Sequence, residues 1–336
     1  MIPPWTVVAH IFYANLCMIN GGVESIGICY GMLGNNLPSR SDVVQLYKSI
    51  NVQQMRIYGP DEQTLNALRG SNIQLILDVP RDQLRALANQ AAAADWVRRN
   101  IRAYVPDVRF KYIAVGNEIF PHSGTYSDAP LVLPAMRAIR AAIQTAGLQD
   151  QIKVSTAVYS PILADPFPPA NTRFTDEAAQ HMQGILSFLA ETGAPLLANV
   201  YPYISKKGDS AIPLPYALFT QAEDIPGAPG YRNLFDAMVD GFYFAMEKLG
   251  ASSVPLVVSE SGWPSGGHPL ATAENARTYN QNLINHVRGG TPKKRGQLET
   301  YIFAMFNENQ KSGDADEKFF GLFNPDKSPA YNINFG

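Results

Sequence analysis

The chain has 336 residues, of which 46% are hydrophobic and 17% are charged. That composition can bury a large core, and α/β barrels routinely use this length as one domain. The formal net charge is −2 and the sequence pI is about 6.2. Because the chain has no excess of positive charge, its charge does not favour nucleic acid or an anionic membrane as the partner. A neutral polymer fits the charge better.

Residues 1–25 differ in character from the rest of the chain. The stretch Trp5–Ile19 is uncharged and largely apolar, and Val23 and Ser25 place small residues three and one positions before a possible cut. This pattern resembles a secretory signal, although the usual basic start is missing. We therefore expect export after loss of residues 1–25, leaving a mature domain of residues 26–336. The alternative is an atypical N-terminus that is not a leader.

Short apolar runs recur along the chain and alternate with stretches of helical periodicity. Strands that alternate with helices indicate βαβ units and a parallel sheet, and eight such units predict a closed (β/α)₈ TIM barrel. The predicted strands are Ile26–Tyr30, Met55–Tyr58, Ile73–Val79, Tyr112–Asn117, Ile152–Val158, Leu196–Tyr201, Pro255–Ser259 and Tyr301–Phe306.

Three of the intervening stretches have clear helical spacing of their apolar residues. The spacing predicts helices over Ser41–Ile50, Pro130–Gly147 and Arg232–Gly250. Ser39 or Ser41 is available as the N-cap of the first of these helices. We see no domain boundary after residue 25.

The longest stretch without regular periodicity runs from Tyr203 to Tyr231 and is rich in proline and glycine. Irregular segments of that length are uncommon and are often functional. Because it follows the sixth predicted strand, we expect it on the rim where the strands end. The alternative is a dispensable surface insertion, since loops tolerate insertion well.

Two predicted strands end in a glutamate, Glu118 after Tyr112–Asn117 and Glu260 after Pro255–Ser259. Carboxylates are rarely buried without a partner, so packing alone does not account for them. The carboxyl ends of all strands in a parallel barrel share one rim, where catalysis usually takes place. Two carboxylates on the rim are the pair of groups that hydrolysis of a glycosidic bond requires. The retaining route needs a protonated acid and an ionised nucleophile about 5–5.5 Å apart.

Asn117 directly precedes the first of these glutamates. On an extended strand its side chain points away from Glu118, unless the strand end twists. An amide on the rim could hydrogen-bond a sugar 2-hydroxyl, an interaction that strengthens in the transition state. The alternative is an amide that satisfies a neighbouring loop.

Several aromatic residues lie at or just beyond the predicted strand ends. Because sugar rings expose apolar faces, these residues are candidates for the floor of an open cleft. The alternative for each is a place in the core or wall, since aromatics also dominate cores. Trp263 is the favoured candidate, three residues after Glu260. The set is Tyr58, Tyr201, Tyr203, Trp263 and Phe306.

Two segments, Val115-Gly116-Asn117-Glu118 and Val257-Val258-Ser259-Glu260-Ser261-Gly262-Trp263-Pro264-Ser265, resemble the two motifs of the plant endo-β-glucanases of glycoside hydrolase family 17. Segments that agree with this likeness include Ile28–Gly31, Met55–Tyr58 and Asn199–Tyr203, with Asn199 as a candidate supporting residue. The resemblance covers residues 26–336. It implies a (β/α)₈ barrel and endo-hydrolysis of linear β-1,3-glucans with retention of configuration. It makes Glu118 the proton donor and Glu260 the nucleophile.

The same resemblance identifies a third cluster after the eighth strand, Glu308, Lys311 and Glu317. Family members place such residues beside the catalytic pair. Additional carboxylates there would raise the pKa of the acid, and an ammonium group would moderate that effect. Judged from the residues alone, the cluster could instead be an exposed charged turn.

Other functions remain as alternatives. The nearest is the 1,3;1,4-β-glucanase branch of the same family, which would differ in the loops Tyr159–Arg173 and Tyr203–Tyr231. A non-catalytic glucan-binding barrel and transglycosylation are further alternatives. The histidines lack metal-binding spacing and no Gly-x-Ser-x-Gly elbow occurs, so we expect no cofactor and no serine hydrolase. The expected partner is a polysaccharide, and the protein is expected to be a secreted monomer without a membrane anchor, acting in plant defence or wall remodelling.

Overall fold

Eight parallel strands form a closed barrel, which confirms the predicted (β/α)₈ TIM fold. The structure is a computed structural model that describes residues 25–119 and 126–335. Apart from Ser25, the predicted leader lies outside the described residues. The strands are β1 Ile26–Cys29, β2 Gln54–Ile57, β3 Gln74–Val79, β4 Arg109–Asn117, β5 Lys153–Tyr159, β6 Leu196–Asn199, β7 Leu256–Ser261 and β8 Thr300–Phe303.

Each strand pairs with the strands before and after it in the sequence, and β8 closes onto β1 with Ile26 opposite Thr300. Both faces of the sheet are covered, which explains the near-continuous apolar strand sequences. Gly27 of β1 shows how tightly the barrel is filled. A Cβ atom there would lie 2.4 Å from the Tyr301 ring.

The helices surround the barrel and confirm the three predicted ones within two residues at each end. Ser39 is the N-cap of the first helix, since its side chain accepts a hydrogen bond from the Asp42 amide. The helices are α1 Arg40–Ser49, α2 Glu62–Ala67, α3 Leu84–Leu87, α4 Gln90–Val97, α5 Ala129–Thr145, α6 Asp176–Thr192, α7 Pro202–Gly208, α8 Leu214–Ala217, α9 Leu234–Lys248 and α10 Ala273–His286. No helix in the described part of the chain is long and apolar enough to span a bilayer.

The prediction of an irregular stretch over Tyr203–Tyr231 is wrong for its first half, which contains α7 and α8. Each of these helices has a proline in its first turn, where the missing amide hydrogen costs no hydrogen bond. Helices this short leave no periodic signal, so the proline-rich composition conceals them. The loop after β5 carries a small antiparallel pair, Leu163–Ala164 with Arg173–Phe174.

The end of β4 is twisted, and this twist positions the first glutamate. The pairing of β4 with β5 shifts between Ala114 and Asn117. Gly116 has φ of +80° and Glu118 has φ of +54°, in the left-handed region that is uncommon for non-glycine residues. Because of this twist, Asn117 and Glu118 both face the same cavity, although neighbours on a straight strand point to opposite faces.

Candidate active site

A cavity of about 640 Å³ opens where the strands end. Its lining residues come from the ends of β1, β2, β4, β6, β7 and β8 or from the loops that follow them. It therefore lies on the rim that parallel barrels use for catalysis. The predicted site residues that line it are Tyr58, Asn117, Glu118, Tyr201, Glu260, Glu308, Lys311 and Glu317.

Glu260, near the end of β7, lies in a shell of hydrogen-bond donors. Arg56 Nη1 donates to its Oε1 at 2.9 Å, and the Tyr58 hydroxyl donates to the same oxygen at 2.8 Å. The Tyr201 hydroxyl donates to Oε2 at 2.7 Å. Hydrogen bonds to an ionised carboxylate are stronger than those between neutral groups. The side chain is thus fixed in place with both oxygens bonded.

Arg56 is the centre of the polar network below the cavity. Its side chain is fully buried and forms a bidentate pair with Asp78, with Nε donating at 3.1 Å and Nη2 at 2.7 Å. A buried ion pair is strongly destabilising to break, because the partner is left as an unpaired charge. One guanidinium thus faces two carboxylates, Asp78 and Glu260.

Sequence reasoning missed the role of Arg56 and Asp78. A signal for them existed, because each interrupts an apolar strand, Arg56 in Gln54–Ile57 and Asp78 in Gln74–Val79. Charged residues are almost never fully buried unless they are paired. Two opposite charges on adjacent predicted strands therefore indicated a buried pair.

Asn199 at the end of β6 bonds Glu118 directly and is linked to Glu260 through Arg56. Its Nδ2 donates to Glu118 Oε1 at 2.8 Å and to Asn117 Oδ1 at 3.0 Å. Its Oδ1 accepts from Arg56 Nη1 at 3.1 Å and from the Ser259 hydroxyl at 2.8 Å. These four bonds fix the orientation of the amide. Asn199 lies beneath the cavity, where it holds Glu118 in position.

Glu118 has a different electrostatic setting from Glu260. Burial, followed by repulsion from Glu260, raises the pKa of Glu118 to about 7. The Asn199 hydrogen bond and the positive charges of Arg56 and Lys311 oppose this rise. A carboxyl group with that pKa is largely protonated in mildly acidic solution, as a general acid requires.

Glu308, in the third cluster, is buried on the cavity wall with 3% of its surface exposed. Its Oε1 accepts a hydrogen bond from the Leu33 amide at 2.8 Å. Burial raises the pKa of Glu308. Gly31 leaves room for this carboxylate, since a Cβ atom at Gly31 would lie 2.3 Å from a Glu308 oxygen.

Lys311 and Glu317 form an ion pair at 3.1 Å on the same wall. The Lys311 ammonium also lies 4.0 Å from the centre of the Phe303 ring, a cation–π distance. Because Glu308, Lys311 and Glu317 all line the cavity, the alternative of an unrelated exposed turn does not describe them.

Trp263, Phe306 and Tyr203 do not form the cleft floor that was predicted. Trp263 is fully buried, and its Nε1 donates to the Leu270 carbonyl at 2.8 Å. Phe306 is 1% exposed and packs edge-on against Tyr30, and Tyr203 is 2% exposed. These large rings complete the core around the strand ends, which is the commoner place for aromatics. Tyr58 and Tyr201 do line the cavity, with their hydroxyls on Glu260.

Asn117 lines the cavity, and its Oδ1 accepts from Arg56 Nη2 at 2.9 Å as well as from Asn199. In the described ranges, 25–119 and 126–335, no group of three or more His, Cys, Asp or Glu side chains could hold a metal ion.

A parallel barrel with two rim carboxylates in contrasting electrostatic settings defines the class of barrel glycoside hydrolases. The family model described as glycosyl hydrolases family 17 matches residues 26–335. The chain belongs to this family, and it is an enzyme of the glycosidase type.

Curated and solved relatives agree with the family assignment. A glucan endo-1,3-beta-glucosidase of Vitis vinifera is 53% identical, with 99% of this chain and 98% of that protein aligned. The structure of CJP38, a beta-1,3-glucanase and allergen of Cryptomeria japonica pollen, matches with a TM-score of 0.90 and 47% identity, over 93% of this chain and 99% of that one. A plant beta-glucan endohydrolase, from a study of two with distinct substrate specificities, matches with a TM-score of 0.87 and 49% identity over 92% and 99%.

Proposed function

We propose that this protein hydrolyses internal linkages of linear β-1,3-glucans with retention of configuration, with Glu118 as acid and base and Glu260 as nucleophile. One observation carries the assignment of roles. Glu260 accepts hydrogen bonds from a buried guanidinium and two phenols, whereas burial raises the pKa of Glu118 to about 7. The β-1,3-glucan substrate is inferred from the names of the relatives reported above.

In the first step, Glu118 gives its proton to the glycosidic oxygen while a Glu260 oxygen attacks the anomeric carbon. The bond from that carbon to the leaving sugar breaks, and an ester bond to Glu260 forms on the opposite face. Arg56, Tyr58 and Tyr201 hold the carboxylate in position, so little reorganisation is needed at the moment of attack.

In the second step, Glu118 is ionised and takes a proton from a water molecule. The water oxygen attacks the anomeric carbon, the ester to Glu260 breaks, and the sugar leaves with its original configuration. Glu118 is again protonated and Glu260 again ionised. A second inversion at the same carbon accounts for net retention.

The charges beneath the cavity suit this reaction. Arg56 carries one positive charge between two carboxylates, Asp78 and Glu260. The trio is therefore net negative when both acids are ionised. A fixed negative environment stabilises the positive charge that develops on the sugar ring in the transition state.

Asn117 supports the reacting sugar. Because Arg56 and Asn199 occupy its Oδ1, the amide NH₂ is the group offered to a ligand. We assign it to the 2-hydroxyl beside the anomeric carbon, where a hydrogen bond strengthens in the transition state.

The pKa of Glu118 sets the alkaline side of the pH–rate profile. The value of kcat/KM should fall as pH rises through about 7, because the free enzyme then loses the proton that the leaving group needs. A rate that still rises at pH 9 would contradict the assignment of Glu118 as the acid.

Azide rescue tests the two roles separately. In Glu260→Ala, azide can take the place of the missing carboxylate and attack once, giving an α-glucosyl azide. In Glu118→Ala, assayed on an aryl β-glucoside whose leaving group departs as the anion without a proton, the Glu260 ester still forms and azide replaces water, giving a β-glucosyl azide. The reverse pair of products would show that the two roles are assigned the wrong way round. Rescue of neither variant would contradict both assignments.

A second candidate is hydrolysis of mixed β-1,3;1,4-glucan, because a structure from a pair of endohydrolases with distinct specificities also matches this chain closely. Product analysis on pure linear β-1,3-glucan and pure mixed-linkage glucan separates the two. Short oligosaccharides from the linear polymer alone support the first proposal, whereas cleavage of the mixed polymer alone supports the second. Glucan that is bound but not cleaved would support a binding protein.

The proposal includes the organisation of the chain. We assign residues 1–25 to a secretory leader, on the uncharged apolar stretch Trp5–Ile19, and residues 26–336 to one catalytic domain that acts as a monomer. Expression in plant cells with N-terminal sequencing of the exported protein tests the leader, activity of a recombinant chain of residues 26–336 tests the catalytic domain, and light scattering tests the monomer.

A further inference from the structure

Large hydrophobic side chains are well exposed at four places in the described part of the chain. They are Leu33 (55% exposed), Phe167 (52%), Ile204 (52%) and Phe319 (39%). Two of them, Leu33 and Ile204, line the catalytic cavity, and neither was among the predicted site residues. Exposed apolar side chains gathered at one cleft indicate a ligand that covers them.

Leu33 is held firmly although its side chain is exposed. Its amide donates to Glu308 Oε1 at 2.8 Å, and its carbonyl accepts from the Gln310 amide at 2.9 Å. Both partners belong to the segment after β8. The backbone of Leu33 is thus fastened to a neighbouring rim segment through both its N–H and its C=O groups.

Ile204 is held by a second set of contacts. It lies in the first turn of α7, and its amide donates to the carbonyl of Tyr201, the tyrosine whose hydroxyl donates to Glu260, at 3.1 Å. Two other side chains of α7 anchor this helix to the rim. The Tyr203 hydroxyl donates to Asp316, and Lys207 Nζ pairs with Asp316 at 2.6 Å. These bonds fasten α7 to the segment that carries Glu317.

We propose that Leu33 and Ile204 are chain-binding residues, which cover the apolar faces of glucosyl rings of a polymer bound in the cavity. This inference rests on the proposed function and adds to it the groups that hold the polymer. A glucosyl ring presents C–H groups on its faces, and burying them against a leucine or isoleucine removes apolar surface from water. Since the backbone that carries both side chains is anchored beforehand, binding needs little additional ordering of the rim.

Binding of this kind is equal in the ground state and the transition state. Its loss should therefore raise KM and leave kcat unchanged. Removing an aliphatic side chain that is half-exposed in the free enzyme and covered in the complex corresponds to about a fivefold weaker binding.

The experiment measures kcat and KM on linear β-1,3-glucan for Leu33→Ser and Ile204→Ser. We expect KM to rise about fivefold in each, with kcat within about twofold of wild type. Leu33→Met and Ile204→Val, which keep an apolar side chain, should restore most of the affinity. Phe167→Ser is the matched control, because Phe167 is equally exposed but does not line this cavity.

The outcomes separate this inference from the proposed function. If wild type does not cleave the polymer, the proposed function fails first. If wild type cleaves it and both serine variants keep the wild-type KM, the chain-binding role alone is wrong. If Phe167→Ser raises KM as much as the other two, the effect belongs to surface hydrophobicity in general, which also overturns the proposal.

Discussion

Glu118 and Glu260 are the same side chain at the ends of two strands of one barrel, yet their surroundings differ in kind. Glu260 lies against a buried guanidinium and two phenol hydroxyls. Glu118 accepts from the neutral amide of Asn199, and its nearest strong influences, burial and the charge of Glu260, both oppose ionisation. The contrast teaches that the environment, and not the residue type, assigns the role of each acid.

The two sites are also coupled through shared atoms. Arg56 Nη1 donates to Glu260 Oε1 and to Asn199 Oδ1, and Asn199 Nδ2 in turn donates to Glu118. A negative Glu260 therefore disfavours ionisation of Glu118, and it shares the Arg56 Nη1 donor with the amide that bonds Glu118. The difference between the two acids is a property of the network that joins them.

The most severe test of the comparison replaces the proposed nucleophile. Glu260→Gln keeps the shape but provides no attacking carboxylate, so kcat should fall on the order of 10⁵-fold, while Glu118→Gln should lose about 10²–10⁴-fold. Turnover of linear β-1,3-glucan measures both losses, and retained binding of the polymer shows that the fold is intact. Activity of Glu260→Gln within tenfold of wild type would place catalysis elsewhere.

The next test removes the positive charge of Arg56, which acts on both Glu118 and Glu260. Arg56→Met leaves Asp78 and Glu260 buried without their cation, which should lower the free energy of unfolding by about 3–5 kcal/mol. Urea denaturation measures the loss. Arg69→Met is the control, because Arg69 pairs with Asp107 in an exposed ion pair, and such pairs contribute about 1 kcal/mol or less. Equal losses in the free energy of unfolding would show that Arg56 stabilises the fold no more than an exposed arginine does.

The pKa of Glu118 makes a prediction about stability with a definite sign. Because the folded-state pKa is raised from 4.5 to about 7, the protonated form is favoured in the folded protein. The contribution is complete below pH 4.5 and is lost as pH rises through 7. Glu118→Gln does not ionise, so at pH 8 it should be more stable than wild type by up to about 3 kcal/mol, from the size of the shift.

Denaturant unfolding at pH 4 and pH 8 measures this difference. At pH 4 the two proteins should be nearly equally stable, and the advantage of Glu118→Gln should appear between pH 4 and 8. Glu191→Gln, an exposed position near the end of α6, serves as the control. An advantage that is the same at both pH values would show that ionisation of Glu118 is not the cause.

The smallest expected effect concerns the phenols that distinguish Glu260. Tyr58→Phe and Tyr201→Phe each remove one donor to the anion, so each should lower kcat/KM about tenfold. Tyr331→Phe removes a buried hydroxyl that Asn280 bonds, outside this site, and should leave kcat/KM on linear β-1,3-glucan unchanged.

Much of the fold followed from local patterns. The apolar runs located all eight strands, and the helical spacing located α1, α5 and α9 within two residues. These features are readable because covering both faces of a strand, or one face of a helix, requires a repeating arrangement of apolar residues. The helices α7 and α8 were not predicted, because they are too short to show a repeating pattern of apolar residues.

The sequence by itself determined the barrel, the family likeness and the two glutamates at strand ends. Only the tertiary structure decided which aromatic residues reach the cavity, because Trp263 occupies a space in the core that other strands and loops create. It also decided the contrast between Glu118 and Glu260, since that contrast depends on Arg56, Asp78 and Asn199 from three further strands. A pKa responds to burial and to charges a few ångströms away, and those neighbours become neighbours only when the barrel closes.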